Sequence, residues 1–244
     1  MYHTVEWTPE RIERFWNFYG ANTAAHGSYF SGQFGDAILR IVRRHVTLSG
    51  ILVDLGCGPG FLVEQLLRQG YVCKAVDFSR EAIEKVQGRF AGHPGFRGGE
   101  VGSLDRLPLH DGEAGALFLI EVLEHLSPAF MAKAFAEFHR VLQPGGHVIA
   151  TVPNEEDLAA KSVACPDCGC VFHRMQHVQR FSRELLAEGL RRGSFDAVLV
   201  VAVNLKHFTG SWAHRSLGMV KHLTRRLRHR SNPHLLAIGR RRIA

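Results

Sequence analysis

At Gly50 the hydrophobic period of this 244-residue chain changes, and that change constrains the fold more than any other feature. Upstream the period is helical. Ile12, Phe15, Trp16 and Tyr19 follow Thr8 (an N-cap) and Pro9 (a first helical position), and Phe34, Ala37, Ile38, Ile41 and Val42 make a second stripe. Downstream, strand-sized apolar runs alternate with amphipathic ones. "ILVDLG" precedes a helix from Phe61, "YVCKAVDFS" precedes a helix Arg80–Phe90 capped by Ser79, and "FRGGEVGS" and "AGALFLIEV" follow. Met131, Phe135, Phe138 and Leu142 mark a further helix stopped by "QPGG", then "HVIATVP", a helix at 183–192, and the strands "AVLVVAVNL" and "HLLAIGR". Repeated βαβ units with right-handed crossovers give one mainly parallel, doubly wound sheet with helices on both faces.

In such a sheet, ligands bind beyond the carboxyl ends of the strands, beside the first of them. There the sequence reads "VDLGCGPG", with Gly56, Gly58 and Gly60 at alternate positions. Bare backbone lets a ligand approach closely and permits positive φ. A dinucleotide loop would read G-x-G-x-x-G, and here Phe61 stands where its third glycine belongs; no Gly-Lys-Ser/Thr follows, which excludes a P-loop. Asp54 suits an ammonium group better than a pyrophosphate.

Five blocks in order, "VDLGCGPG", "AVDFS", "GSLDRLP", "LIEVLEHL" and "VLQPGGHVIATVPN", span residues 50–154. Together they resemble the class I S-adenosylmethionine-dependent methyltransferases, and among them the branch similar to ubiquinone-biosynthesis methyltransferases. The resemblance implies a Rossmann-like sheet of about seven strands with an antiparallel last strand. It divides the chain into a helical cover (1–49), a cofactor-binding core (50–154), a Cys/His insertion on the acceptor side (155–181) and a C-terminal completion of the sheet (182–244). It also assigns roles. Asp54 and the backbone of Gly56, Cys57, Gly58 and Gly60 would hold the methionine moiety, and Asp77 would accept the two ribose hydroxyls. Asp105 would accept from the adenine amino group, with Phe78 and Leu104 near the ring, and Glu121 would border the cofactor.

The cofactor sets the mechanism. A sulfonium is already a good leaving group, so the protein chiefly aligns a nucleophile with the methyl, and a hydroxyl or amine acceptor also calls for a base. "EVLEHL" follows the fourth strand of the pattern, which makes His125 the first candidate. Some ubiquinone-type relatives hold a divalent cation with the acids and histidine of this block, here Glu121, Glu124 and His125. The bland alternative is that Glu124 and His125 only shape the pocket.

Two features lie outside that core. "CPDCGCVFHRMQHVQRF" begins with a zinc-knuckle turn, and if the stretch after it is helical, His173 and His177 at i and i+4 complete a site with Cys165 and Cys168, leaving Cys170 spare. Without metal, those histidines are runner-up bases. An odd set of five cysteines, with no secretory pattern and no apolar run long enough to span a bilayer, points to a cytosolic protein without a disulfide framework. From Lys206 onward there is no Asp or Glu, whereas residues 1–205 are net acidic, so the net charge of +7 belongs to one end. The basic segment 215–230 reads as a surface for anionic lipid or a phosphate-bearing acceptor. The function expected is methyl transfer to a small-molecule or lipid-linked acceptor, on oxygen. The alternatives are an RNA methyltransferase and a cofactor-binding scaffold without turnover.

Overall fold

The computed structural model describes residues 2–21, 29–209 and 232–243; the basic segment 215–230 lies outside the described residues. Its chain order begins β1 (His3–Thr4), α1 (Pro9–Ala21), α2 (Phe30–Val42), β2 (Ile51–Leu55), α3 (Phe61–Arg68), β3 (Val72–Asp77), α4 (Arg80–Phe90), β4 (Phe96–Val101) and β5 (Ala114–Ile120). It continues α5 (Pro128–Val141), β6 (Leu142–Pro153), β7 (Ser162–Ala164), β8 (Cys170–His173), α6 (Arg183–Arg192), β9 (Phe195–Val203) and β10 (His234–Arg241).

Seven strands form one sheet in the order β4-β3-β2-β5-β6-β10-β9. The first five are mutually parallel, and the last strand, β10, inserts antiparallel to both β6 and β9. Alternation along each strand builds two apolar layers. Leu52, Ala75, Phe118 and Ile149 face the layer of α2, α3 and α4, whereas Val53, Leu55, Leu117, Leu119 and Val148 face the layer of α5 and α6. All seven residues of β5 are buried, as a central parallel strand requires. Each large side chain so placed contributes about 1.5–3 kcal/mol against exposure.

Local signals fix where elements begin. Ser79, Ser127 and Ser182 cap α4, α5 and α6 by accepting backbone N–H groups from Ala82, Phe130 and Leu185. The segment "QPGG" does not separate helix from strand; α5 ends at Val141 and Leu142 already begins β6, the direction changing through Gly145 (φ 75°).

A second, three-stranded sheet of order β1-β8-β7 lies outside the core. The expected helix through His173 and His177 is absent: Cys170–His173 is extended, paired antiparallel with β7, and a turn follows. Helix α1 packs against this hairpin through a chain of ring contacts, Trp7 on Phe15 and Phe172, and Phe15 on Trp16 and Tyr19. The helix thereby lies over the carboxyl edge of the sheet.

Candidate active site

Every residue singled out in the core lies at the carboxyl end of β2, β3, β4 or β5 or in the loop that follows. The loop after β2 turns through three left-handed glycines. At Gly58 (φ 48°) a Cβ would stand 3.2 Å from the Tyr29 ring, and at Gly60 (φ 81°), the N-cap of α3, one would stand 2.9 Å from Val86. Any side chain there would be strained twice over, by backbone and by neighbour. Cys57 contributes only backbone, because its side chain is buried in the core and burial pushes its thiol well up.

Two carboxyls face this loop from below. Asp77 accepts from the Gly58 N–H through Oδ2 and from the Ser79 N–H through Oδ1, both at 2.9 Å, which ties the tip of β3 to the glycine loop. Burial raises its pKa, and the N–H groups of Ser79, Gly58 and Phe78 oppose that rise. Asp54 is 3% exposed, and its carboxyl is pushed up to about 8 by burial and then by the charge of Asp77. Two acids this deep favour a cation between them. Phe78, 40% exposed, leaves an apolar ring in water beside Asp77. Leu104 and Asp105 are half-buried after β4, with Asp105 accepting from the Ser103 hydroxyl. Ser79 also donates to Asn17 of α1 at 2.9 Å, so the helix roofs the cofactor side as well.

Beyond the ends of β5 and β6 a second group gathers: Glu121, Glu124 and His125, with Glu156, His173 and His177 from the segment after β6. Glu156 bonds Nδ1 of His177 and the ammonium of Lys161 and lies 3.7 Å from Nε2 of His173; against the burial that would raise it, His177 and Lys161 hold its carboxyl down at about 2. The rings of His173 and His177 stack at 4.4 Å. His177 turns Nε2 toward Glu124, 3.9 Å from Oε1. Neither oxygen of Glu124 has a hydrogen-bond partner; the residue is 1% exposed, and burial, reinforced by Glu121, raises its pKa well above the ordinary value. His125 directs Nδ1 to the Gln176 carbonyl at 3.4 Å and packs edge-on against Trp16. Trp16 in turn donates to the Gln176 side chain at 3.0 Å.

Backbone strain marks the same place. Among the described residues, four other than glycine have positive φ, and three of them, Glu121 (56°), Glu155 (51°) and Gln176 (58°), belong to or border this group. Such conformations cost of order 1–3 kcal/mol each and persist where the surroundings enforce them.

The geometry revises three expectations. His125, the first candidate base, is pushed down to about 3 by burial and then by His177, which makes it a weak proton acceptor. Glu121 does not join Glu124 and His125 in a compact ligand set; its N–H bonds Thr151 and its carboxyl lies 3.9 Å from His234. The compact sets among the described residues are Glu124, His125 and His177, and Glu156, His173 and His177. The Cys165/Cys168/His173/His177 zinc site is not assembled. The cysteines occupy the tip of the β7–β8 hairpin while His173 closes its base opposite Ser162, because an extended strand carries residues apart where a helix would have gathered them.

The first set does fit a divalent cation. Both Glu124 oxygens are unpartnered, and the two histidines turn ring nitrogens inward while Gln176 and Glu156 hold the others, the usual outer support of metal-bound imidazoles. In the second set His173 is disqualified by its tautomer. Its Nδ1 accepts from the N–H groups of Met175 and His177, so Nε2 carries the proton and lies 3.7 Å from Glu156 without a hydrogen bond.

A parallel sheet completed by one antiparallel strand, with acids at successive strand ends below a bare glycine loop, is the arrangement of the class I S-adenosylmethionine-dependent methyltransferase fold. Residues 53–150 match the family described as a methyltransferase domain. Over 104 residues the chain is 32% identical to a ubiquinone biosynthesis O-methyltransferase of Ralstonia nicotianae, covering 40% of each protein. Over 110 residues it is 34% identical to a 37.1 kDa protein of transposon Tn4556 from Streptomyces fradiae, covering 43% of this chain and 31% of that one. The chain thus spans well under half the length of these two relatives. The fold is shared with the 1,6-didemethyltoxoflavin-N1-methyltransferase of Burkholderia thailandensis, solved with S-adenosylhomocysteine, at a TM-score of 0.67 and 17% identity over 99% of this chain and 93% of that one.

Proposed function

We propose that the protein transfers the methyl group of S-adenosylmethionine to a hydroxyl oxygen of a small-molecule or lipid-linked acceptor, with His177 as proton acceptor. The observation that carries this reading is the His177–Glu156 pair. Glu156 is a carboxylate at any physiological pH, so it fixes the Nδ1–H tautomer of His177 and leaves Nε2 as a lone pair facing Glu124. The pair sits after β6, and β6 neighbours β5, which neighbours β2 and its glycine loop.

In the step, the acceptor oxygen attacks the methyl carbon in line with sulfur. The carbon–sulfur bond breaks with its electron pair going to sulfur, which yields S-adenosylhomocysteine, and the hydroxyl proton passes to His177 Nε2. Protonated His177 is then stabilised by Glu156. Glu124, its carboxyl raised by burial and then by Glu121, lies beside the base, and Trp16 and Gln176 close the roof against water. A divalent cation, if bound, would be held by Glu124, His125 and the Nε2 of His177; it would then replace His177 as the means of activating the acceptor, by lowering the pKa of its hydroxyl. The basic segment 215–230 supports delivery of the acceptor from an anionic surface. No helix among the described residues is long and apolar enough to cross a membrane.

The test is incubation with methyl-labelled cofactor and fractionated cell extract, followed by His177→Asn and Glu156→Gln on the labelled acceptor. Label in a hydroxyl compound, with kcat reduced about 10²–10⁴-fold in His177→Asn, supports the reading. Label confined to RNA, or full activity in His177→Asn, refutes it.

A further inference from the structure

The three cysteines left over at the tip of the hairpin have a neighbour that lies more than 160 residues away in sequence. Strand β1, two residues long and fully exposed, pairs in parallel with β8 and sets His3 opposite Cys170. The pairing is held by His3 N–H on the Gly169 carbonyl at 3.1 Å and Val5 N–H on the Val171 carbonyl at 3.0 Å. Register partners on adjacent strands stand on one face of a sheet, so His3 rises on the side of Cys170.

The turn itself has the form of a metal knuckle. Cys165 N–H donates to the Cys170 carbonyl at 2.8 Å, Gly169 N–H donates to the Cys165 carbonyl at 2.9 Å, and Gly169 takes φ 73°. The Cys165 sulfur accepts from the backbone N–H groups of Cys168 and Asp167 and meets the Cys168 thiol. Cys168 also touches Cys170. Cys168 is therefore flanked by the other two. All five cysteines are free thiols, and these three are the ones outside the core.

The setting gives a metal something to do. The small sheet has strands of two to four residues, and all three residues of β7 are exposed. A sheet so short needs another source of stability, yet it supports His173, Gln176 and His177.

We propose that Cys165, Cys168, Cys170 and His3 bind one zinc ion at the tip of the hairpin. Three thiolates and one imidazole make a closed tetrahedral site, structural in kind. The three sulfurs are not all within 4.8 Å of one another, so binding draws Cys165 and Cys170 in around Cys168 and releases their thiol protons. The site is separate from the Glu124 group and does not depend on the methyl acceptor.

The experiment uses the full chain, purified without chelator for metal analysis, then stripped and titrated with Co²⁺ as a spectroscopic substitute. About one zinc per chain is expected, together with cobalt spectra showing thiolate charge-transfer bands and tetrahedral ligand-field bands. Cys170→Ser should weaken the thiolate bands and His3→Asn should shift them, while His173→Asn and His177→Asn leave the thiolate bands unchanged. Wild-type protein that is metal-free and gives no thiolate–cobalt band overturns the proposal without recourse to a variant. So do thiolate bands that survive Cys170→Ser and His3→Asn unchanged.

Discussion

The carboxyl of Asp54 offers a direct test of how the cofactor's charge is used. In the free protein it titrates at about 8 against an ordinary value of 3.8, through burial and the neighbouring Asp77. A raised carboxyl stabilises the fold below the unfolded value and loses that contribution as pH climbs to the folded one. Each pKa unit is worth 1.36 kcal/mol, so between pH 4 and 8 the free protein should lose on the order of 4–6 kcal/mol from this group, less whatever relaxation returns. Asp54→Asn keeps the shape and removes the titration. Denaturant unfolding of the free protein at pH 5, 7 and 9 should show the variant more stable than wild type at pH 7 and 9, with the two closer together at pH 5. The cofactor reverses the preference. Its ammonium group stabilises the carboxylate, so wild type should release roughly 0.9 proton per cofactor bound at pH 7, measurable as a binding enthalpy that varies with buffer. The variant should lack that release and bind about 10–150-fold more weakly, the worth of a charged hydrogen bond. A wild type with no proton release, or a variant with unchanged affinity, would refute the role given to Asp54.

Two further outcomes are expected. Asp77→Ala removes an acceptor for the ribose and frees the N–H groups of Gly58 and Ser79, so cofactor affinity should fall by about 1.5–3 kcal/mol in calorimetry; equal affinities would contradict the assignment. Reversing Arg225, Arg226, Arg228 and Arg230 to Glu should abolish binding to anionic vesicles at low salt, since each such residue is worth about 1 kcal/mol near the surface. Wild-type protein that ignores vesicles would remove the membrane from the account.

Most of the sheet could be read directly because its signal is local. Apolar runs of strand length, the serine cap at Ser79 and the glycines after β2 each act over a few residues, and the helix after Ser79 begins where that cap places it. The acids at strand ends were legible for the same reason. Glu156 obeys that rule too, at the end of β6, yet it stands in the run Glu155-Glu156-Asp157, which reads as solvated surface; only the fold shows it buried beneath His177. The Cys/His segment was misjudged because an i, i+4 spacing fits a helix, whereas β-branched and aromatic Val171 and Phe172 draw the chain into a strand. The pairing of His3 with Cys170 had no local signal at all, since two residues carry no period.

The most direct measurement is the position of the cofactor product's sulfur in a crystal of this protein grown with S-adenosylhomocysteine. The account predicts the amino group beside Asp54, the ribose hydroxyls on Asp77, and the sulfur directed at the Glu124–His177 group, with room for one hydroxyl oxygen about 3–3.5 Å from the transferred carbon. A sulfur turned away from His177, or a product bound anywhere but the glycine loop, would contradict it.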